Sequence, residues 1–136
     1  MFDADINYLA VLLGGIAVQP LGALWYTTLF GKPWMRLRGY DQSDVQGGSA
    51  NVGYFVGFVS ALVVAYGLAR LSDMVDANSV GDCIALAAFV WSVFAAPVQA
   101  TQIAFSKTQS ATLFAIEGGY WLASFVAMGA IVGAFQ

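Results

Sequence analysis

Val18-Gln-Pro-Leu-Gly-Ala-Leu-Trp-Tyr-Thr-Thr-Leu-Phe-Gly-Lys-Pro-Trp-Met-Arg-Leu-Arg-Gly39 decides how this chain is read. An apolar helix ends inside it, an aromatic collar follows, and a basic knot closes it. Trp25 and Tyr26 suit a membrane–water boundary, because each ring is apolar while its N–H or O–H seeks water. Lys32, Arg36 and Arg38 come next and are three of only five cations in 136 residues. With Trp25 and Trp34 they read as an interfacial anchor. The positive-inside rule then turns this end of the helix toward the cytoplasm.

The rest of the chain agrees with a membrane reading. It is 60% hydrophobic and 10% charged, with a mean hydropathy of +0.73. Soluble domains carry about 25% charged residues, and a soluble fold of this size leaves too much surface exposed to hide so much apolar area. A net charge of -3, with the few cations clustered in one loop, leaves no nucleic-acid footprint. Cys83 stands alone, which excludes an internal disulfide and a cysteine-based metal site. The absence of histidine removes histidine catalysis, metal ligation and proton relays together. No metal and no cofactor is expected. Asp3 and Asp5 stand where a secretory signal would carry Lys or Arg, so the first helix is expected to be retained.

Four apolar segments cover residues 6–30, 52–71, 80–105 and 111–135. Each has about 20 residues or more, enough at about 1.5 Å per residue to cross about 30 Å of hydrocarbon. Helix is favoured over strand because an isolated segment in lipid satisfies its own backbone only as a helix. The expected fold is therefore all-α, one four-helix transmembrane domain over residues 1–136. Asp3 or Asp5 can cap the first helix, Ser79 with Asp82 resembles a capping box, and Ser110 can cap the fourth. The short link at 106–110 makes the third and fourth helices an antiparallel hairpin. Residues 72–78 form a polar link bearing Asp73 and Asp76. In the long first loop, Pro33 sits where a helix can start and Gly39 where one can stop. Trp34, Met35 and Leu37 add apolar anchors, so residues 33–38 read as a short interfacial helix, or else as an irregular basic loop. Gly47-Gly48-Ser49 reads as a flexible lead into the second helix. The first and third loops hold Lys32, Arg36, Arg38 and Lys107, whereas the second has only Arg70 beside acids. Both termini are thus expected outside.

Projection at 3.6 residues per turn gives each helix a face. Gly15, Gln19, Gly22 and Tyr26 align in the first, and Gly53, Gly57, Ser60 and Gly67 in the second. Ala88, Ser92, Ala95, Gln99 and Gln102 align in the third, and Glu117, Tyr120 and Ser124 in the fourth, where Gly129 and Gly133 form a small-xxx-small pair. Small residues let backbones approach closely, so Gly15, Gly22, Gly53, Gly57, Gly129 and Gly133 are candidates for helix packing inside the bundle or at a subunit contact. Packing alone explains them. Glu117 is the only Glu in the chain and lies about 10 Å inside the fourth helix. Gln19, Tyr26, Gln99, Gln102 and Tyr120 approach the same half of the membrane, and the six form a candidate polar cluster. An ionisable group at such depth marks a functional site by default. The plainer reading is a buried carboxyl that fixes helix packing, paired with Lys32, Arg36 or Arg38 folding back. Pro20 and Pro97 should each kink their helix by freeing a carbonyl one turn earlier. Trp91 and Trp121 read as lipid-facing or packing residues, and Cys83 as inert filler.

Leu21-Gly-Ala-Leu-Trp-Tyr26, Phe30-Gly-Lys-Pro-Trp-Met35, Gly119-Tyr-Trp-Leu-Ala-Ser124 and Met128-Gly-Ala-Ile-Val-Gly133 occur in this order. Over nearly the whole chain they resemble the bacterial and fungal membrane family catalogued as domain of unknown function seventeen-sixty-one. The resemblance implies a small four-helix membrane protein, here of a bacterial inner membrane, and implies no activity. It also implies Asn more often than Glu at position 117, which favours a hydrogen-bonding role there. Two readings of function follow. One is a structural or accessory module that oligomerises or joins a larger membrane complex. The other is a small permeation or solute- or lipid-binding unit using the cluster around Glu117. An enzyme is not expected, because no carboxylate pair and no Ser or Cys stands beside a base.

Overall fold

A computed structural model describes residues 5–46 and 48–136. Asp3 and Gly47 lie outside the described residues. Helix α1 runs Tyr8–Leu24, a π-helical turn follows at Trp25–Leu29, and α2 spans Gly31–Arg38. Helix α3 is Gly48–Met74. Helix α4 is Val80–Val90, passing through a second π-helical turn at Trp91–Ala95 into α5, Ala96–Ala104; α6 is Ala111–Ala134. No strand occurs among the described residues. Four stretches are long and apolar enough to cross a membrane: Tyr8–Leu29, Ala50–Met74, Val80–Ala104 and Ala111–Ala134. The protein is an all-α, multi-pass membrane protein.

The helix ends show how local chemistry sets these boundaries. Asn7, rather than Asp3 or Asp5, caps α1: its side-chain oxygen accepts from the backbone N–H of Leu9 and Ala10. The helix begins at Tyr8, so a carboxylate at position 5 is too far upstream to reach those donors. Ser79 and Ser110 cap α4 and α6 through the N–H of Asp82 and Leu113. Helix α3 overruns its expected limits of 52–71, because Asn51, Ser72 and Asp73 are polar without breaking a helix. It ends where Asp76 turns left-handed at φ 57°. Ala77 N–H then bonds Ser72 O at 2.8 Å and Asp76 N–H bonds Asp73 O at 3.3 Å, the two bonds of a Schellman ending.

Helix α6 sits at the centre. It packs against α1, α3 and the α4–α5 rod, most extensively with α4. The core is made of small and medium side chains, with Val18, Ala65, Ala87 and Met128 fully buried. Close approach comes from glycine. A Cβ on Gly129 would lie 2.7 Å from Cys83 O, and one on Gly133 would lie 2.7 Å from the Val80 Cα. Gly15 similarly leaves room for Leu62, and Gly22 for the Tyr120 ring. Of the two places expected for Gly53 and Gly57, the bundle interior is not where they lie: a Cβ on either would meet nothing within 4 Å. The first half of α3 stands clear of the bundle, with Val52, Tyr54, Phe55 and Val56 all more than half exposed. Its expected packing face is thus unused within the protomer. The physical reason is that α3 turns Ala61, Ala65, Leu68 and Ser72 toward its neighbours instead, a stripe displaced around the helix from the glycines.

Residues 7 and 135 meet at one end, where Asn7 Nδ2 donates to Phe135 O at 3.3 Å. Lys32, Arg36, Arg38 and Lys107 gather at the opposite, basic end.

These contacts separate two substitutions. Gly129→Leu should lower the thermal unfolding midpoint in detergent, at a cost of about 1–3 kcal/mol or more, because backbone has to move. Gly57→Leu should leave the midpoint of the isolated protomer unchanged. Circular dichroism melts of both variants check this, and equal melts would contradict the packing described.

Candidate functional site

The site is built where α1 stops being an α-helix. In the first π-helical turn Phe30 N–H reaches Trp25 O at 2.9 Å, five residues back. Gly31 follows at once, and a Cβ there would lie 2.7 Å from Tyr26 O. Only glycine lets α2 start so close to the helix it leaves. Helix α2 then folds back over the bundle and stacks Trp34 on Tyr26, with ring centroids 4.6 Å apart. It closes on Gly39 at φ 73°. Tyr40 N–H bonds Met35 O at 2.9 Å and Gly39 N–H bonds Arg36 O at 3.3 Å, again a Schellman ending. The Tyr40 ring meets Trp34 edge-on at 5.4 Å. Just beyond, Asp41 ties the loop, its carboxyl held below the usual carboxylate range chiefly by the Ser43 hydroxyl and by Asp44 N–H.

This geometry aims Arg38 at Glu117 on α6. Arg38 Nε donates to Glu117 Oε1 at 2.9 Å, and Nη2 donates to both carboxylate oxygens. The guanidinium is held charged more firmly than usual, first by this bond to Glu117, with burial opposing it. The two side chains are 33% and 17% exposed, so the pair lies at the rim rather than in the core.

The second irregular turn supplies the opposite wall. Pro97 has no N–H to give and sits in the first turn of α5, directly after the π-helical turn. That turn accommodates one extra residue, so Trp91 and Gln99 face the same way. Both reach Gly118: a Cβ there would lie 3.5 Å from Gln99 Oε1 and 3.5 Å from the Trp91 ring. Gly119 serves the other side, 3.1 Å from the Trp25 ring by the same measure. The Trp25 indole N–H donates to Ile116 O at 2.8 Å. Each π-helical turn therefore opens on a Trp that lies against one of two adjacent glycines in α6.

Between these walls is a cavity of about 310 Å³ lined by Tyr26, Arg38, Gln99, Gln102, Ile103, Glu117 and Trp121. Gln99 Oε1 is buried there with no hydrogen-bond partner. The indole N–H of Trp91 is likewise buried and unbonded. Toward the chain termini the apolar cluster of Val18, Ala87, Phe125 and Met128 fills the bundle.

Of the six residues expected to cluster, Tyr26, Gln99, Gln102 and Glu117 line the cavity. Gln19 does not. Its amide donates to Gly15 O on its own helix at 2.9 Å, so its polarity is spent locally. Tyr120 stands behind the wall: its ring meets Tyr26 at 5.3 Å and its hydroxyl donates to Val18 O at 3.4 Å. Trp25, expected as an interfacial anchor, instead ties α1 to the α6 backbone. Its N–H finds a carbonyl rather than water. Lys32 and Arg36 are exposed, as an anchor requires. Ile103, Trp121, Gly118 and Gly119 were not singled out for the site. The Gly-Gly pair directly after the only Glu was the available signal.

Residues 9–133 match the family described as "Protein of unknown function (DUF1761)", and the chain belongs to that family. No curated protein and no solved structure matches it. Among the described residues no group of His, Cys, Asp or Glu could hold a metal ion.

The pair gives a direct test of the site's construction. Glu117→Leu should destabilise the protein by about 1–3 kcal/mol, because Arg38 loses its acceptor. Glu117→Gln keeps an oxygen in place and should fall well short of that loss. Thermal melts in detergent, with trypsin cleavage after Arg36 as a readout of α2 docking, check both.

Proposed function

We propose that this DUF1761 protein is a non-catalytic binding protein of the membrane, holding a small polar or amphipathic ligand in the cavity between Glu117 and Gln99. The single observation that carries the reading is a cavity that reaches an ion pair and is lined by Gln99, whose Oε1 is buried beside Gly118 without a partner. A buried oxygen left unbonded costs about 1–3 kcal/mol. A ligand in the cavity toward which the Gln99 amide turns removes that cost. Conduction through one protomer is not supported, because Val18, Ala87, Phe125 and Met128 close the bundle beyond the cavity.

The basic end is placed at the cytoplasmic face, since four of the five cations lie there. Both termini are then outside, in a bacterial inner membrane. A cavity so placed is open to the cytoplasm and to the inner leaflet. A second reading, a structural module, is favoured by the open small-residue face of α3, where Gly53, Gly57 and Gly67 meet nothing. Such a face fits another copy or a larger membrane complex.

Two measurements test this. Protein purified in lipid nanodiscs should retain a bound adduct in native mass spectrometry, and the adduct should be lost in Gln99→Leu. Identical spectra for the two would count against the cavity. For orientation, Gln42→Cys in a Cys83→Ser background should resist an impermeant maleimide in whole cells and react in inverted vesicles. The reverse pattern would place the cavity outside.

A further inference from the structure

Resting on the reading of the cavity as a binding site, we propose that it selects an uncharged, hydroxyl-bearing group and turns away ions of both signs. The argument begins with charge. Arg38 and Glu117 are the only charged residues in the lining, and they are bonded to each other. The cavity is therefore formally neutral while offering both strong donors and strong acceptors. An anion drawn to Arg38 meets the Glu117 carboxylate beside it. A cation drawn to Glu117 meets the guanidinium. Either ion binds well only by prising apart a pair whose carboxylate is largely buried, at 17% exposed, and a buried charge stripped of its partner is unfavourable. A hydroxyl group has no such conflict, since it donates and accepts at once and can bond the outer edges of an intact pair.

The remaining lining fits the same chemistry. Gln99 lines the cavity with its Oε1 unpartnered, and once its amide turns inward a hydroxyl supplies the missing donor. Gln102 offers an amide that gives and takes. Trp121 is held edge-on between Tyr120 and Phe125, with centroids at 5.3 and 6.4 Å, and gives the cavity a rigid aromatic wall. Such a wall suits the apolar face of a sugar-like ring. At about 310 Å³ the space lies at the small end of ligand pockets, which span about 300–1,000 Å³. It suits one headgroup-sized group. The group can be the polyol end of a membrane lipid or a free sugar-like solute, since the chemistry presented is the same.

The test uses the full chain in phosphatidylcholine nanodiscs, with empty nanodiscs subtracted, and calorimetric titration of three probes sharing an octyl chain: octyl glucoside, octyl sulfate and octyltrimethylammonium. Octyl glucoside should bind saturably, about tenfold more weakly to Gln99→Leu, while the two ions show only partitioning. Glu117→Gln leaves Arg38 as the only charge and should admit octyl sulfate. Arg38→Gln leaves Glu117 and should admit octyltrimethylammonium. Methyl glucoside binding as tightly as octyl glucoside would identify a free solute, and binding only of the chain-bearing probe a lipid headgroup; both support the proposal. An ionic probe binding the parent protein as well as octyl glucoside, in a Gln99-dependent way, would overturn the neutral selectivity and leave the binding site standing. No saturable binding by any probe, to parent or to either charge variant, would overturn both.

Discussion

Helix α6 touches its neighbours at the places where it has no side chain. In lipid there is no hydrophobic drive to press one helix against another, so contact area must come from close approach. Gly129 and Gly133 let the backbone of α4 come within reach, to the point that a methyl group would collide with Cys83 O or Val80. At the site, Gly118 and Gly119 let two indoles lie close against the helix, tightest at Gly119, where a Cβ would come within 3.1 Å of the Trp25 ring. The same helix therefore carries the packing seam at one end and the cavity wall at the other. The more enclosed character of this span relative to the other three follows from that arrangement.

The cavity exists because two helices leave the regular repeat at matching heights. A π-helical turn inserts a residue into one turn and shifts everything beyond it by roughly 100°. On the α4–α5 rod the inward face is Cys83, Ala87 and Trp91 before the turn, and Gln99 and Ile103 after it. Without the extra residue, Trp91 and Gln99 would point about 80° apart. On α1 the turn ends the span early, and Gly31 lets the chain double back as α2. The aromatic rings of Tyr40, Trp34, Tyr26, Tyr120 and Trp121 then form one chain of contacts from the interface into the bundle. Those contacts hold α2 down over the cavity.

The sequence made the spans legible because length and hydropathy are properties of a line. Ser79 and Ser110 were readable as caps for the same reason: a cap acts within three residues. Asn7 was hidden by the more obvious carboxylates upstream. The site was partly legible. Glu117 as a deep carboxylate and a basic residue folding back to it both follow from depth and charge, although only the three-dimensional path of α2 selects Arg38 over Lys32 and Arg36. Ile103, which also lines the cavity, shows where the projection fell short. A uniform 3.6-residue projection puts Gln102 inward, but the π-helical turn changes the phase, leaving Gln102 exposed at the mouth and Ile103 buried. Gln19 failed differently, since its amide bonds the Gly15 carbonyl one turn back on its own helix. The glycines of α3 could not be assigned from a pattern that looks the same whether a helix or a lipid lies beside it.

A carboxylate about 10 Å from the start of a membrane-compatible helix is expensive to leave without a partner. Two ways of meeting that cost are available to a small bundle. A second charge can be placed on a neighbouring span, which doubles the number of ionisable groups in hydrocarbon. Or a cation can be delivered from the aqueous boundary on an element that never enters the bilayer. Here the cation comes from α2, which lies outside the four membrane-compatible spans. Helix α2 is eight residues long, starts on a glycine that permits the turn, ends on one that permits the stop, and has Arg38 as its last helical residue. A helix of that size is too short to be stable alone. Its stability comes from the Tyr26–Trp34 stack on one side and the Glu117 carboxylate on the other. The basic knot of the sequence is therefore a tethered counterion as well as a topological signal. Because the tether folds back over the end of the bundle, Arg38 and Tyr26 become part of the lining of the cavity beneath it.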